Sequence, residues 1–249
     1  MRHPFFLTAL LATTIPLSAC GYSVFDAAED MEGIDFDGGT AITTAAQTTT
    51  AFTKIEAFGP DNIVLVTGDS FSIKAEGNAE AIKALRFKVQ GSAIRVGRTK
   101  GKWFGDTAKP VTITITAPKI NALSLAGSGD LKADSLWGDT VVIHLAGSGN
   151  VDVADIAAPF VKGTVAGSGD IKVAGKVAKS EWSVAGSGDV DATAIISEDV
   201  KASVAGSGNI RANATKTVDA SIAGSGDVAI AGGAKCTKSV VGSGKVTCG

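Results

Sequence analysis

Seven serines recur at the same place in a repeated phrase, and a serine hydroxyl is a possible catalytic nucleophile. Each stands between two glycines, and successive copies are 18 to 20 residues apart. The seven are Ser128, Ser148, Ser168, Ser187, Ser207, Ser225 and Ser243. A serine nucleophile needs a base, but the chain has only two histidines, His3 and His144, and the phrase lacks the Gly-x-Ser-x-Gly form of a nucleophile elbow. We therefore predict no catalytic residue, and interpret the serines as a structural corner ladder that satisfies backbone groups.

An acidic or amide side chain follows six of the seven triplets, which raises the possibility of a calcium site. The series runs Asp130, Asn150, Asp170, Asp189, Asn209, Asp227 and then Lys245. The calcium-binding β-helix repeat has Gly-Gly-x-Gly-x-Asp and half this period, so the match fails. Only Asp170 and Asp189 are adjacent carboxylates, and they would repel by about 3.5 kcal/mol at 4.8 Å and an effective dielectric constant of 20. We therefore expect no metal and no other cofactor.

The elements that hold these residues follow from the period. Aliphatic residues alternate on both sides of each triplet, as in Leu123 and Leu125 before Gly127 and Leu131 after it. A period of about 20 residues indicates short coils that bury their apolar side chains only by stacking. The sequence therefore predicts an all-β domain, a single-stranded parallel β-helix with about 20-residue coils over residues 123–249. Crossover chirality favours right-handed winding, and positive φ angles are expected at the corner glycines.

A less regular region precedes the repeats. Strands are predicted at 63–66, 71–75, near 87–89, near 93–96 and at 111–116, with Pro118 ending the last. Asn78 has the character of an N-cap for a short helix that runs to Leu85. This pattern predicts an N-terminal strand region decorated with one helix.

A loop in that region combines aromatic and basic residues, a combination that can contact a ligand. The candidate ligand-contact residues are Arg98, Lys100, Lys102, Trp103 and Phe104. Exposed aromatics beside cations can hold a glycan, an acidic polymer or lipid headgroups. The alternative is that the loop caps the end of the helical core.

The first residues predict export and a lipid anchor. A basic start and an apolar run fit a signal peptide over residues 1–19, and Leu17-Ser18-Ala19-Cys20 resembles the lipobox of bacterial lipoproteins. Cys20 would then carry the lipid, although an ordinary signal peptide remains the alternative. The acidic residues after it predict a flexible tether over 20–51, followed by the domain at 52–249. Gly21 and Tyr22 favour outer-membrane over inner-membrane retention.

Charge and cysteine content limit the partners further. The formal net charge is −2, whereas a nucleic-acid-binding protein needs a basic balance, so we expect no nucleic acid. Beyond Cys20, the chain has only Cys236 and Cys248. In an oxidising compartment we expect these two to form a disulfide, although two buried thiols are the alternative.

The chain resembles the head GIN domain family of putative auto-transporter adhesins, through the strands from Phe52 to Val96, the segment Val111–Pro118 and the seven corners. The resemblance covers residues 52–249 and implies a β-helical fold, an adhesin-like role and no catalytic residue. We therefore predict a cell-envelope lipoprotein with a binding or scaffolding domain and no catalysis. Its partners would be the membrane, through the N-terminal lipid, and a glycan or cell-surface protein. Open alternatives are a β-helical carbohydrate-active enzyme, a purely structural envelope protein, and either a periplasmic or a cell-surface orientation.

Overall fold

The computed structural model describes residues 35–101 and 105–249 and has the predicted architecture. The chain forms a β-solenoid of about six turns, in which parallel strands pair about 20 residues apart. The right-handed winding stays a prediction. The predicted signal peptide, Cys20 and the first part of the predicted tether lie outside the described residues. Within the described ranges, no helix has the length and apolar character needed to cross a membrane.

Strands form most of the described chain. Before the repeats the elements are β1 (Thr40–Ala41), β2 (Gln47–Thr48), β3 (Lys54–Gly59), β4 (Asn62–Thr67), β5 (Ser72–Glu76), α1 (Ala79–Ala84), β6 (Leu85–Gln90), β7 (Ala93–Arg98), a 3-10 helix (Gly105–Ala108) and β8 (Thr112–Ala117). The repeats form β9 (Ala122–Gly127), β10 (Leu131–Ala133), β11 (Leu136–Trp137), β12 (Thr140–Gly147), β13 (Val151–Ala157), β14 (Phe160–Gly167), β15 (Ile171–Lys176), β16 (Lys179–Gly186), β17 (Val190–Gly206), β18 (Ile210–Gly224), β19 (Asp227–Ala231), β20 (Lys235–Gly242) and β21 (Lys245–Cys248).

Each coil contributes to two faces that meet at the Gly-Ser-Gly corner. The first face stacks β3, β9, β12, β14, β16, the second halves of β17 and β18, and β20. The second face stacks β4, β10, β13, β15, the first halves of β17 and β18, β19 and β21. The corner register is constant, because Gly147 pairs with Gly127 on one side and Gly167 on the other. Alternate side chains of both faces therefore meet in one buried apolar column.

The solenoid begins earlier than the repeats that the sequence displays. Strand β3 pairs in parallel with β9, and β4 pairs in parallel with β10, so Lys54–Thr67 forms a coil of its own. Gly59 of this coil pairs with Gly127, although Pro60-Asp61-Asn62 stands where the repeats have Ser-Gly-Asp. Below this coil, β7 pairs with β3 and β8 pairs with β4. A loop joins β7 to β8 in place of a tight corner.

Antiparallel strands cover the lower end of the stack. Strand β6 pairs with β7, β5 pairs with β8, and the short helix α1 connects β5 to β6. The helix has the predicted N-cap, since the Asn78 side chain accepts hydrogen bonds from the backbone N–H groups of Glu80 and Ala81. The outer edges of β6 and β5 are covered in turn by β1 and β2.

The predicted tether over residues 20–51 is therefore wrong in its second half. Residues 35–51 include β1 and β2, and they pack on the domain. The reason is apolar burial: Phe36 and Ile42 are 5% and 2% exposed, and the Phe36 ring lies 5.7 Å from that of Phe58. Acidic composition indicated a flexible segment, but these buried side chains and the pairing of β1 with β6 and of β2 with β5 hold it on the domain.

Candidate binding surfaces

The glycine corners are set by contacts between neighbouring coils. The first glycine of each triplet has φ between 124° and 148°, as predicted. A Cβ on Gly147 would overlap the carbonyl oxygen of Gly127, and a Cβ on Gly149 would overlap that of Gly129. The backbone N–H groups of Ser148 and Gly149 both donate to the Gly127 carbonyl, at 3.0 and 3.2 Å. Both glycines of the triplet are thus required by the close approach of the next coil.

The seven serines form a column at this corner, but their hydroxyls do not have the role we predicted. Every one of them is exposed. None of the hydroxyls makes a hydrogen bond to a described residue, because the corner N–H groups already donate to glycine carbonyls. The interpretation that the hydroxyls satisfy corner backbone groups is therefore wrong. The serines remain a regular, exposed row of small polar groups.

The side chain after each triplet has the role that we gave to the serines. The Oδ1 of Asp170 accepts the backbone N–H of Asp189 at 2.8 Å, and the Oδ1 of Asp189 accepts that of Asn209 at 2.8 Å. The same bond occurs at every step, starting with Asn62 below the first triplet and ending at the N–H of Lys245. One oxygen of each side chain is thus engaged in the fold. Within residues 35–101 and 105–249, no group of three or more His, Cys, Asp or Glu side chains is arranged to hold a metal ion.

Charged side chains form two regular rows on the outside of the solenoid. On the second face, neighbouring coils pair Lys132, Asp152, Lys172, Asp191 and Arg211 in that order. On the first face the order is Lys162, Glu181, Lys201 and Asp219. We call these two sets the charged rows. Opposite charges alternate from coil to coil, and coils are about 4.8 Å apart, so like charges recur about every 9.6 Å.

Local contacts hold part of these rows in place. The Lys162 ammonium lies 3.4 Å from the Glu181 carboxylate, and both side chains are half-buried. The Asp191 carboxylate accepts the Thr193 hydroxyl at 2.6 Å, and this bond is the main reason why its pKa lies below the ordinary value. Flanking cations from the neighbouring coils lower the same pKa further. The strand register therefore sets the alternation of charge along each row, and Lys162, Glu181 and Asp191 have side-chain contacts that orient them.

Of the predicted ligand-contact residues that the structure describes, one is buried and one is exposed. Arg98 was expected to be available to a ligand, but its side chain is fully buried and forms an ion pair with Asp61. Asp61 also accepts the backbone N–H of Val111 at 3.1 Å. Arg98 is thus a structural residue, since its guanidinium also donates to the Lys109 backbone carbonyl at 2.8 Å. Lys100 is exposed and lies 3.4 Å from the Asp35 carboxylate. Lys102, Trp103 and Phe104 lie outside the described residues.

The last coil is closed by a covalent bond. Cys236 of β20 and Cys248 of β21 form a disulfide across the end of the apolar column, with their Cα atoms 6.5 Å apart. The Lys238 ammonium donates to the Val246 carbonyl at 3.2 Å across the same end. Lys245 replaces the Asp or Asn of earlier coils, and so the column of side-chain acceptors ends here.

His144 is half-buried on the first face, in the row that otherwise has Ser or Thr. Burial lowers the pKa of its imidazole below the ordinary value, and the positive charge of Lys162 lowers it further. The imidazole is therefore neutral at physiological pH.

An open groove of about 830 Å³ lies among the loops opposite the glycine corners, near the capped end. It is lined by residues 51–53, 67–69, 91–92 and 118–119, together with Phe71 and Trp137. Phe52 and Phe71 pack edge to face with ring centroids 5.2 Å apart, and the Lys119 ammonium lies 4.1 Å from the Trp137 ring centroid. The groove therefore combines aromatic rings with one cation and one acid, Asp69.

Sequence reasoning missed both the groove and the buried ion pair. The degenerate corner at Gly59 carries a detectable signal, since aligning Gly59–Asn62 with the triplets places Asp61 at a glycine position. That substitution could have marked a special contact. The groove carries no such signal, because its residues come from five separate segments of chain.

Comparison with known proteins supports the fold and identifies relatives. The family model described as "putative auto-transporter adhesin, head GIN domain" matches residues 51–234. A putative adhesin from Bacteroides fragilis NCTC 9343 has a solved structure that is 25% identical with a TM-score of 0.76, over 87% of this chain and 100% of that one.

More distant structures share the fold. A putative lipid binding protein from Parabacteroides distasonis ATCC 8503 is 22% identical with a TM-score of 0.63, over 87% of this chain and 99% of that one. A putative adhesin from the same strain is 16% identical with a TM-score of 0.61, over the same shares. No curated protein matches the sequence.

Proposed function

We propose, from the premise that the chain belongs to the putative auto-transporter adhesin, head GIN domain family, that it is a lipid-anchored binding protein of the cell envelope. Its solenoid would present the charged rows to a glycan or a cell-surface protein, in an adhesin-like or scaffolding role. The family and its solved relatives carry the names of adhesins or binding proteins and not of enzymes.

The observation that carries this proposal is the regularity of the charged rows. A partner with repeated groups could contact several coils at once, and many weak contacts at fixed spacing give a high overall affinity. The backbone beneath the charged rows is held by the parallel strand pairing of neighbouring coils. Such a rigid surface loses little entropy on binding.

The test uses the exported full chain with Cys20→Ala, added to whole cells and to purified envelope glycans. Replacing Lys132, Lys172 and Arg211 with Gln removes the cations of one charged row, and we expect binding to weaken about tenfold. Higher salt should weaken binding of the parent protein, since exposed charges are screened. The matched control replaces Ser148, Ser168 and Ser187 with Ala at the exposed corner and should bind normally. Equal binding by the row variant would reject the charged rows as the contact surface.

Anchoring and orientation need separate measurements. With Cys20 intact, we expect the protein in the outer-membrane fraction, with acyl chains visible in its intact mass; Cys20→Ala should be released. If Cys20→Ala stays in the membrane fraction, the lipid anchor is rejected. Protease treatment of intact cells should release the domain if it faces outward, as an adhesin must. Full protection would place it in the periplasm and favour scaffolding.

The enzymatic alternative makes a different prediction. A carbohydrate-active enzyme would shorten an envelope polysaccharide on incubation, and the change in size is measurable by gel filtration. We expect no shortening, because the Asp and Asn side chains at the corners are each engaged with the next coil. A purely structural protein would bind neither cells nor glycans.

Lipid binding is a second candidate, favoured by one observation: the groove near the capped end is lined by aromatic rings. The related protein from Parabacteroides distasonis carries that description, although its likeness extends only to the fold. A groove at loops on a rigid scaffold is a common place for a ligand.

A further inference from the structure

We propose that the groove lined by Phe52, Phe71 and Trp137 binds a free single-chain anionic amphiphile, such as a fatty acid. The acyl chain would lie along the aromatic rings and the anionic head would pair with Lys119. This inference develops the second candidate function and does not depend on the charged rows.

The floor of the groove is apolar and firmly held. Phe52 is 2% exposed and lies beneath the groove, so the ring surface open to a ligand there is that of the half-buried Phe71, which packs edge to face against it. Trp137 is 38% exposed, which is unusual for so large an apolar side chain. Covering such a surface with an acyl chain is favourable by about 25 cal/mol for each Å² of apolar area removed from water.

The size and shape of the groove fit a chain-like ligand. Its volume of about 830 Å³ lies within the usual range for small-molecule sites, about 300–1,000 Å³. The groove is open to solvent and includes Gly68 and Gly91, and the space beside Gly91 is free of other atoms of the described chain within 4 Å. A flexible acyl chain can follow such a groove without a closed cavity.

The charge at the rim selects the head group. Lys119 is exposed and, within the described part of the chain, forms no ion pair; its ammonium lies over the Trp137 ring instead. An ammonium over an aromatic face keeps free N–H donors for a carboxylate or phosphate. Asp69 also lines the groove, and its carboxylate would repel the same head group, which leaves Lys119 as the group that attracts it.

Polar contacts at the rim agree with this arrangement. Thr53 and Ser92 line the groove beside the apolar floor, and their hydroxyls can donate to a second head-group oxygen. Thr67 is already engaged, since its hydroxyl lies 2.9 Å from that of Ser135. The groove thus has an apolar body and a small number of polar donors.

The test measures binding of laurate to the full-length Cys20→Ala protein by titration calorimetry, below the concentration at which laurate forms micelles. We expect saturable binding of one laurate, and dodecyltrimethylammonium, which has the same chain and a cationic head, should bind at least tenfold more weakly. Lys119→Gln should weaken laurate binding about tenfold and leave dodecanol unchanged, while Lys119→Arg should keep laurate binding. Lys176→Gln, at an exposed lysine outside both the groove and the charged rows, is the matched control.

Several outcomes would overturn the proposal. These are no saturable binding of laurate, equal binding of the cationic amphiphile, or unchanged binding by Lys119→Gln. Trp137→Ala gives a second check, because its exposed ring can be removed without opening the core, and it should weaken laurate and dodecanol alike. If laurate binds Cys20→Ala but not the acylated protein, then the occupant is the protein's own lipid and not a free amphiphile.

The two proposals can fail separately. Lys119→Gln should bind whole cells like the parent protein, because it leaves the charged rows intact. Loss of cell binding by the row variant with normal laurate binding would support both assignments. Loss of both in Lys119→Gln would show that the cell-surface ligand also uses the groove, and would reject the charged rows as its only contact surface.

Discussion

The two ends of the solenoid face the same physical problem and solve it differently. Each end leaves an apolar column without a covering coil and a row of strand edges without partners. At the lower end, β5, β6 and α1 cover both, and the buried Asp61–Arg98 ion pair links the first corner to the end of β7. At the upper end, the disulfide between Cys236 and Cys248 closes the column, and the edge of β20 is left exposed.

The difference shows that a stack of coils can be closed either by additional strands and a helix or by a disulfide between its last two strands. Lysines stand at the upper end, and charged side chains on an edge strand oppose further pairing. Val240 is 41% exposed there, whereas its equivalents in the two preceding coils, Ile222 and Val204, are buried. The lower end is therefore covered by strands and a helix whose apolar side chains belong to the core, while the upper end is closed by one covalent bond.

Removing the ion pair at the lower end should have the largest effect. Asp61→Ala leaves the Arg98 guanidinium buried without its carboxylate, and we expect about 3–5 kcal/mol of lost unfolding free energy. Chemical denaturation measures this loss. The matched control is Glu198→Ala, which removes an exposed ion pair with Lys216 and should cost less than about 1 kcal/mol. A similar cost for both variants would show that the lower end is not locked by this pair.

Opening the disulfide at the upper end should have a smaller and more local effect. Replacing Cys236 and Cys248 with Ser removes a link between residues 12 apart, and loops of this length are stabilised by about 2–4 kcal/mol. Hydrogen exchange should show lost protection in β20 and β21 with normal protection in β5 and β6. Uniform loss of protection through the molecule would mean that the two ends are not independent.

The column of Asp and Asn side chains between the ends should contribute less at each step. Asp189→Ala removes the acceptor for both the backbone N–H and the side-chain amide of Asn209, each at 2.8 Å. We expect a loss of about 1–2 kcal/mol in unfolding free energy, since the part-buried backbone N–H of Asn209 loses its hydrogen-bond acceptor. Ser187→Ala at the same corner is the control and should change stability by less than about 0.5 kcal/mol. A larger cost for Ser187→Ala would restore the serine ladder to a structural role.

The smallest effect concerns pH and His144, midway between the ends. Burial and Lys162 lower its folded pKa below the ordinary 6.5, so the unfolded chain binds more protons as pH falls through that value. Stability should therefore decrease from neutral pH towards pH 5, and less steeply in His144→Ser, which restores the Ser of the preceding coil. Denaturation midpoints at several pH values test this. Identical pH profiles for the two proteins would contradict it.

Much of the fold could be predicted from the sequence, for reasons visible at single residues. Gly147 and Gly149 recur because each lies against the backbone of the preceding coil, so the period of the glycines is the period of the coil. Asn78 identified the helix because N-capping is local. The position of Cys236 and Cys248 near the chain end also required no three-dimensional information.

The candidate sites were harder to predict, because side-chain roles depend on neighbours in space. In the sequence, Arg98 cannot be distinguished from an exposed cation. In the structure it is buried and paired with Asp61, which lies 37 positions earlier in the chain. The serines and the following Asp or Asn were both plausible partners for corner N–H groups, and only the coil geometry separates them.

The sequence by itself determined the coil period, the corner glycines, the in-register stack and the family, since these depend on spacing along the chain and on close backbone contact repeated at each step. The tertiary structure alone decided where the stack begins, how its lower end is covered, which charges are buried and where an apolar groove lies. Those features are made by segments far apart in the chain. The residues that form them do not recur at a fixed spacing, so no sequence pattern predicts their contacts.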